Sequence, residues 1–148
     1  MKSFRRILYA TDFSTASRPA FKKAIEVARA NGARLLIGHV LPSVGTLGLN
    51  GYVTPLMYKE MEQALRLGAE KRLERFRKQA EKAGVRSEAV LLQGFPAGEI
   101  AAAAKSQKAD LVVVGTHGRT GMARVLVGSV ASRVIASAPC PVLAVRGR

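Results

Sequence analysis

Asp110-Leu111-Val112-Val113-Val114-Gly115 is apolar at four consecutive interior positions and is rich in β-branched residues. A strand with one wet face alternates apolar and polar side chains, so an unbroken run of this kind predicts a strand covered on both faces, as in a parallel sheet flanked by helices. Four more short runs share its character: Arg5–Ala10, Arg34–Leu41, Ser87–Leu92 and Pro141–Val145. Between them lie stretches with helical spacing. The first follows Ser14 or Thr15 as N-cap, carries Ala20, Ala24, Val27 and Ala28 on one face, and stops at Asn31-Gly32. The second runs from about Pro55 to Ala83, with Met57, Met61, Ala64, Leu65, Leu73, Phe76 and Ala80 on a stripe. Its dense Glu, Lys and Arg read as a solvated face with i,i+4 pairs. A third, from about Pro96 to Gln107, starts with proline and is rich in alanine, and a fourth opens at Gly128-Ser129 and ends before Pro139. The alternation is β-α-β-α-β-α-β-α-β, which predicts an α/β fold with a five-stranded parallel sheet and helices on both faces. Pro42–Thr54 is the one long glycine-rich stretch and reads as a mobile loop over one edge.

The chain has 148 residues, which fits one domain spanning 1–148, and there is no internal repeat or linker. At 48% hydrophobic and 23% charged residues it has too much apolar side chain for a disordered chain. The apolar run near the N-terminus is too short for a secretory signal, and charges interrupt every stretch that could span a bilayer. A soluble, cytoplasmic protein is the expectation. Cys140, the single cysteine, lies between two prolines before an apolar run and reads as a small buried hydrophobe. The formal charge of +14 attracts anions, yet the basic residues are dispersed along the chain and aromatics are only 5%. That pattern favours a solvated basic surface over a nucleic-acid groove, which concentrates cations among stacking rings. Neither nucleic acid nor a membrane is expected as the partner.

Ligands of open parallel sheets bind beyond the carboxyl ends of the strands. There the segment Gly115-Thr116-His117-Gly118-Arg119-Thr120-Gly121 has the parts of a phosphate cradle, because glycines at 115, 118 and 121 permit close backbone approach and positive φ. Gly128-Ser129 then opens a helix, whose free amides and macrodipole favour an anion. A tight turn followed by an N-cap serine is the plainer reading of the same residues. No Gly-Lys-Ser/Thr occurs anywhere, and Thr11-Asp12-Phe13-Ser14 stands after the first strand where a dinucleotide fold has its glycine fingerprint. A Walker-type loop and a dehydrogenase site are thereby excluded.

The spacing Gly115-x2-Gly118-x9-Gly128-Ser129 resembles the nucleotide-binding motif of the universal stress protein family. The likeness extends over nearly the whole chain, through Ile7-Leu8-Tyr9-Ala10-Thr11-Asp12-Phe13-Ser14, Val114–Gly121, Gly128-Ser129-Val130-Ala131 and Pro139–Val145. It implies a Rossmann-like sheet of the adenine nucleotide alpha hydrolase type, in the order 3-2-1-4-5. ATP would lie across the carboxyl ends of strands one and four. Carried onto the matching positions, the resemblance implies that Gly115, Gly118, Gly128 and Ser129 hold the phosphates. Val114, Thr116, His117, Arg119, Thr120, Gly121 and Val130 would line the same loop and helix start. Ala10, Thr11 and Asp12 would close the site from the first strand, with Asp12 near the ribose or a nucleotide-bound Mg; its other reading is a local backbone bond or N-cap. Val40 would offer backbone groups to the adenine edge. His117 reads as a loop hydrogen-bonder, since no nucleophile can be placed beside it. Arg119, Arg124 and Arg133 are cations near this site. Ala10 stands where nucleotide-binding relatives often have proline.

The expected function is an adenine-nucleotide-binding regulatory protein of the stress response, with a slow ATPase at the same site, or a cyclic AMP binder, as the alternatives. No residue is assigned a catalytic role. The terminal apolar strand Val142–Val145 offers an edge for pairing with a second chain, and the resemblance implies a homodimer formed by antiparallel pairing of these edges.

Overall fold

The computed structural model describes residues 3–43, 51–117 and 127–147. Along the chain these form β1 (Arg6–Ala10), α1 (Arg18–Asn31), β2 (Arg34–Leu41), α2 (Pro55–Lys82), β3 (Ser87–Gln93), α3 (Pro96–Ser106), β4 (Leu111–Gly115), α4 (Ser129–Ser137) and β5 (Val142–Val145). The five strands make one sheet in the order β3-β2-β1-β4-β5, every neighbouring pair parallel. Ile7 of β1 registers with Leu35 of β2 on one side and with Leu111 of β4 on the other.

Because β1, β2 and β4 are inner strands, their side chains divide between two cores. Ile7, Tyr9, Leu35, Ile37, Leu111 and Val113 face a cluster with Ala20, Phe21, Ala24 and Ala28 of α1 and Leu73 and Ala80 of α2. Leu8, Leu36, Val112 and Val114 face the opposite cluster, with Ile100, Ala103 and Ala104 of α3 and Ala131 and Val134 of α4. This explains the continuous apolar runs: each residue has a helix above or below it. Truncating one of these side chains, such as Ile37 or Val113, leaves a cavity and typically costs about 2–5 kcal/mol for the largest.

Polar contacts fix the ends. Asp110 accepts from the amides of Arg5 (2.9 Å) and Arg6 (3.2 Å), fastening the entry to β4 against the start of β1. Helix α1 terminates at Gly32, whose φ of 61° places it in the left-handed region that a side chain would disfavour. Thr54 caps α2, its hydroxyl accepting from the Met57 amide at 3.2 Å, with Pro55 in the first turn.

Two expectations need correction. A 3-10 turn over Thr15–Ser17 separates Ser14 from α1, so the helix begins at Arg18 with Ser17 as its N-cap. The Ser17 hydroxyl makes no cap bond; it donates instead to the Ser14 carbonyl at 2.8 Å, and its oxygen also lies 3.0 Å from Thr11 Oγ1. The stripe assigned to α2 is also only half internal. Of its residues, Leu73 and Ala80 are buried, whereas Met57 and Leu65 are exposed. At about 1.5 Å per residue the helix is about 42 Å long, well beyond the roughly 26 Å of the longest strand, so its first half overhangs the sheet. Of the Pro42–Thr54 stretch, residues 44–50 lie outside the described residues.

Candidate functional site

At the carboxyl ends of β1 and β4 the sheet opens into a cavity of about 310 Å³. Its position follows from topology: the chain winds from β1 to β2 in one direction and from β1's other flank to β4 in the opposite one, so the connecting segments part at this point. Ala10, Thr11 and Asp12 leave β1 on one side of it, and Val114, Gly115 and His117 leave β4 on the other. Val40 closes the β2 side, and Gly128, Ser129 and Val130 bring the start of α4 into the wall. The structure thus brings together ten of the positions singled out in the sequence. Gly118, Arg119, Thr120 and Gly121, together with Arg124, lie outside the described residues.

Thr116 does not line the cavity but shapes it. Its amide donates to Val145 of β5 at 2.9 Å, its hydroxyl lies 3.0 Å from His117 Nδ1, and its carbonyl accepts from the Gly128 amide at 2.5 Å. Gly128 is therefore held against the end of β4. A Cβ there would lie 2.8 Å from the Thr116 oxygen, closer than real Cβ atoms come, so glycine is required by close approach. Positive φ is not the reason: Gly128 sits at φ −66°, and Gly115 is also absent from the positive-φ glycines of the described residues. Of the two freedoms expected of Gly115, close approach and positive φ, the structure does not use the second.

With the Gly128 amide already used, the amides of Ser129, Val130 and Ala131 are those of the first turn of α4 that have no intrahelical acceptor. All three residues line the cavity, and the first turn of α4 has no acidic side chain. The partial positive charge of the helix start thus faces the cavity, and no carboxylate in the helix's own first turn neutralises it.

The β1 side is organised by short-range bonds. Thr11 is buried; its amide donates to Gly38 at 2.9 Å and its hydroxyl oxygen accepts from Phe13 at 3.0 Å. Asp12 Oδ1 accepts from the Ser14 amide at 2.9 Å, which is the local backbone bond foreseen as one of its two readings. This bond fixes the carboxylate in the cavity wall. Phe13 between them has φ 65°, uncommon for a bulky residue, and its ring stacks on His39 with centroids 4.1 Å apart.

Sequence reasoning missed His39, Ser17, Pro96, Ile100 and Ala131, which also line the cavity. His39 is 7% exposed, and its Nδ1 lies 2.8 Å from the Thr11 carbonyl. Its position one residue before Val40, at the carboxyl end of β2, was a usable signal. Ser17 comes from the 3-10 turn before α1 and Ala131 directly follows Val130, whereas Pro96 and Ile100 come from α3, which only the tertiary arrangement brings to the rim. Among the described residues the lining contains one carboxylate and two histidines but no lysine or arginine, and no group of three or more metal-ligating side chains occurs.

A sequence profile of the universal stress protein family matches residues 3–146. A universal stress protein of Thermus aquaticus is 40% identical, covering 97% of this chain and 99% of the relative. One from Methanocaldococcus jannaschii is 38% identical over 97% of this chain and 82% of its own length. Among solved structures, a universal stress protein of Lactobacillus plantarum superposes with a TM-score of 0.86 at 26% identity, covering 99% of this chain and all (100%) of that one. A universal stress protein from Archaeoglobus fulgidus solved in complex with dAMP has a TM-score of 0.67 at 25% identity, covering 98% and 100% of the two chains. Another, solved in complex with cyclic AMP, has a TM-score of 0.68 at 25% identity, covering 99% and 100%. A family match over nearly the whole chain, joined to a relative 40% identical along almost its full length, places this chain in the universal stress protein family.

Proposed function

We propose that residues 1–148 act as one adenine-nucleotide-binding regulatory unit, with ATP as the ligand. The observation that carries this reading is the cavity where the unpartnered amides of α4 meet the carboxyl ends of β1 and β4. Its size, about 310 Å³, falls at the lower end of the range of small-molecule pockets. The dAMP and cyclic AMP complexes of related chains support an adenine nucleotide as the occupant.

In this reading the amides of Ser129, Val130 and Ala131 receive a phosphate, with Gly115, His117 and Gly128 beside it and Gly118, Arg119, Thr120 and Gly121 completing the loop. Val40, with His39 next to it, borders the base, and Ala10, Thr11 and Asp12 border the ribose. The donor set suits a nucleotide-bound Mg rather than a protein-held one, because Asp12 is the one carboxylate among the described lining residues. Magnesium is commonly held by one or two carboxylates plus substrate phosphates, with water filling the rest. Bound there, it would neutralise phosphate charge. Asp12, oriented by the Ser14 amide, would present its carboxylate to it. No side chain is assigned a catalytic role, and the action is binding that alters contacts with a partner.

A homodimer through β5 belongs to the same proposal. Val142–Val145 lies at one end of the sheet order, is paired with β4, and has only intermediate burial throughout. No helix among the described residues is long and apolar enough to cross a membrane, and a cytoplasmic location is proposed with this role.

Isothermal titration with ATP·Mg, cyclic AMP and dAMP is the test, alongside mass spectrometry of any nucleotide that copurifies. Saturable heat with ATP·Mg, lost in Gly128→Asp, is the expected result. Absence of heat with all three nucleotides at millimolar concentration removes the reading, and preference for cyclic AMP replaces ATP as its ligand. Light scattering that shows a monomer at micromolar concentration removes the dimer.

A further inference from the structure

A second cavity, of about 580 Å³, lies between α1 and α2, on the far side of the Asp12–Ser14 segment from the first. Its cations are Arg18 and Lys22 from α1 and Arg72 and Arg75 from α2, and none of the described residues that line it is acidic. Glu74 and Glu81 of α2 are both bonded to Arg77 and Glu26 of α1 to Lys23, and none of the cavity's four cations is in an ion pair among the described residues. The spacing puts Arg72, Arg75 and Phe76 on one face of α2 and Arg18 and Lys22 one turn apart on α1.

The floor is aromatic. Phe13, Phe21 and Phe76 line it, with Phe21 and Phe76 edge to face at 4.7 Å and the Arg72 guanidinium carbon 5.4 Å from the Phe13 ring centroid. Ser14 is in the same wall, and its buried hydroxyl oxygen has no hydrogen-bond partner among the described residues. Four exposed like charges around a cleft with an aromatic floor attract an anion. Arginines match phosphate oxygens with paired donors, and the rings accept a flat or apolar body beneath.

We propose that this cleft is a second binding site, for a small organic phosphate of two or more negative charges attached to an apolar or planar group. The phosphate sits among Arg18, Lys22, Arg72 and Arg75, and the organic part lies on Phe13 and Phe76. The site is distinct from the nucleotide cavity in every charged residue it uses and does not depend on that cavity's assignment.

The test titrates phenyl phosphate, tripolyphosphate and phosphatidic acid vesicles into the 15N-labelled full chain and into an Arg72→Gln/Arg75→Gln variant, reading backbone amide shifts. Saturable shifts at Phe13, Ser14, Lys22, Arg75 and Gln79 with phenyl phosphate are expected, with weaker binding of tripolyphosphate. The double variant should bind phenyl phosphate at least about tenfold more weakly. A wild-type-like amide spectrum and an unchanged nucleotide titration of that variant show that its fold is intact. Shifts confined to Gly115, Ser129 and Val130, unchanged affinity in the double variant, or binding of the vesicles alone would each overturn the proposal.

Discussion

The Gly128 amide donates to the Thr116 carbonyl at 2.5 Å, so the residue that opens α4 is clamped to the residue that follows β4. Any side chain at 128 strikes that same oxygen. Gly128→Ala must therefore push the start of α4 away from β4, with backbone strain on the order of 1–3 kcal/mol. The expected outcome is a sheet that still folds, by circular dichroism, with a lowered melting temperature and nucleotide affinity reduced by at least about tenfold. Gly115→Ala is the matched control, because a Cβ at Gly115 meets nothing closer than 3.5 Å. Its stability should fall less than that of Gly128→Ala. Equal melting temperatures for the two variants would show that the clamp does not set the position of α4.

Phe13 combines an unfavourable backbone with favourable ring contacts. Its φ of 65° costs a non-glycine residue about 1–2 kcal/mol, while its ring stacks on His39 and approaches Phe76 at 6.0 Å. Removing the ring is destabilising in either case, but glycine alone also relieves the backbone. Phe13→Gly should be more stable than Phe13→Ala by roughly 1 kcal/mol in urea unfolding, the reverse of the usual order for these two residues. Finding alanine the more stable would mean that the segment relaxes out of the left-handed region.

The sheet was legible because its inner strands carry apolar residues on both faces: β2 runs over Arg34–Leu41 as its composition predicts, and Val112 and Val113 fill opposite cores. Edges and helix starts were less legible. Ser14 has the chemistry of an N-cap, yet the Thr15–Ser17 turn carries the chain further before α1 begins, and local propensity does not register that displacement. In α2 the apolar residues Met57 and Leu65 continue a helical pattern yet stay exposed, since periodicity reports a face and not what covers it. At the candidate site, residues following a strand could be placed from topology. Pro96 and Ile100 could not, because their approach depends on how α3 packs against the sheet and α4. The basic residues of α1 and α2 looked dispersed in one dimension, and only helix pairing gathers Arg18, Lys22, Arg72 and Arg75 around one cleft.

Tyr9 is fully buried, and its hydroxyl donates to the Ser17 carbonyl at 2.9 Å. Burial pushes the phenol above its ordinary value, reinforced by the charge of Asp12 and opposed by hydrogen bonding with Ser17 and Thr11. A folded pKa above the unfolded one gives stability that is fully present below about pH 10 and is lost as pH rises through the folded value. Near neutral pH, Tyr9→Phe should be less stable than wild type by about 1 kcal/mol, the usual net worth of one buried hydrogen bond. That gap should shrink and then reverse as alkali is added, because phenylalanine has no proton to lose. Chemical unfolding at a series of pH values up to the alkaline transition measures it, and a gap independent of pH would contradict the linkage.

Cys140 is a second titratable group whose environment can be tested directly. It lies partly buried against the core formed with α3 and α4, and burial, followed by the negative charge of Asp110, raises its thiol above the ordinary value. Alkylation requires the thiolate, so at mildly alkaline pH a raised pKa means a smaller reactive fraction in the folded protein than in the unfolded chain. Iodoacetamide should therefore modify the native protein more slowly than the same protein in guanidinium, and the native rate should keep rising with pH beyond the point where the unfolded rate levels off. Asp110→Asn should move the native curve toward lower pH, since it removes the second of the two causes while leaving a side-chain oxygen to accept from Arg5 or Arg6. Rate profiles that coincide for native and unfolded protein would rule out both causes together, and a shift absent in Asp110→Asn would leave burial as the sole one.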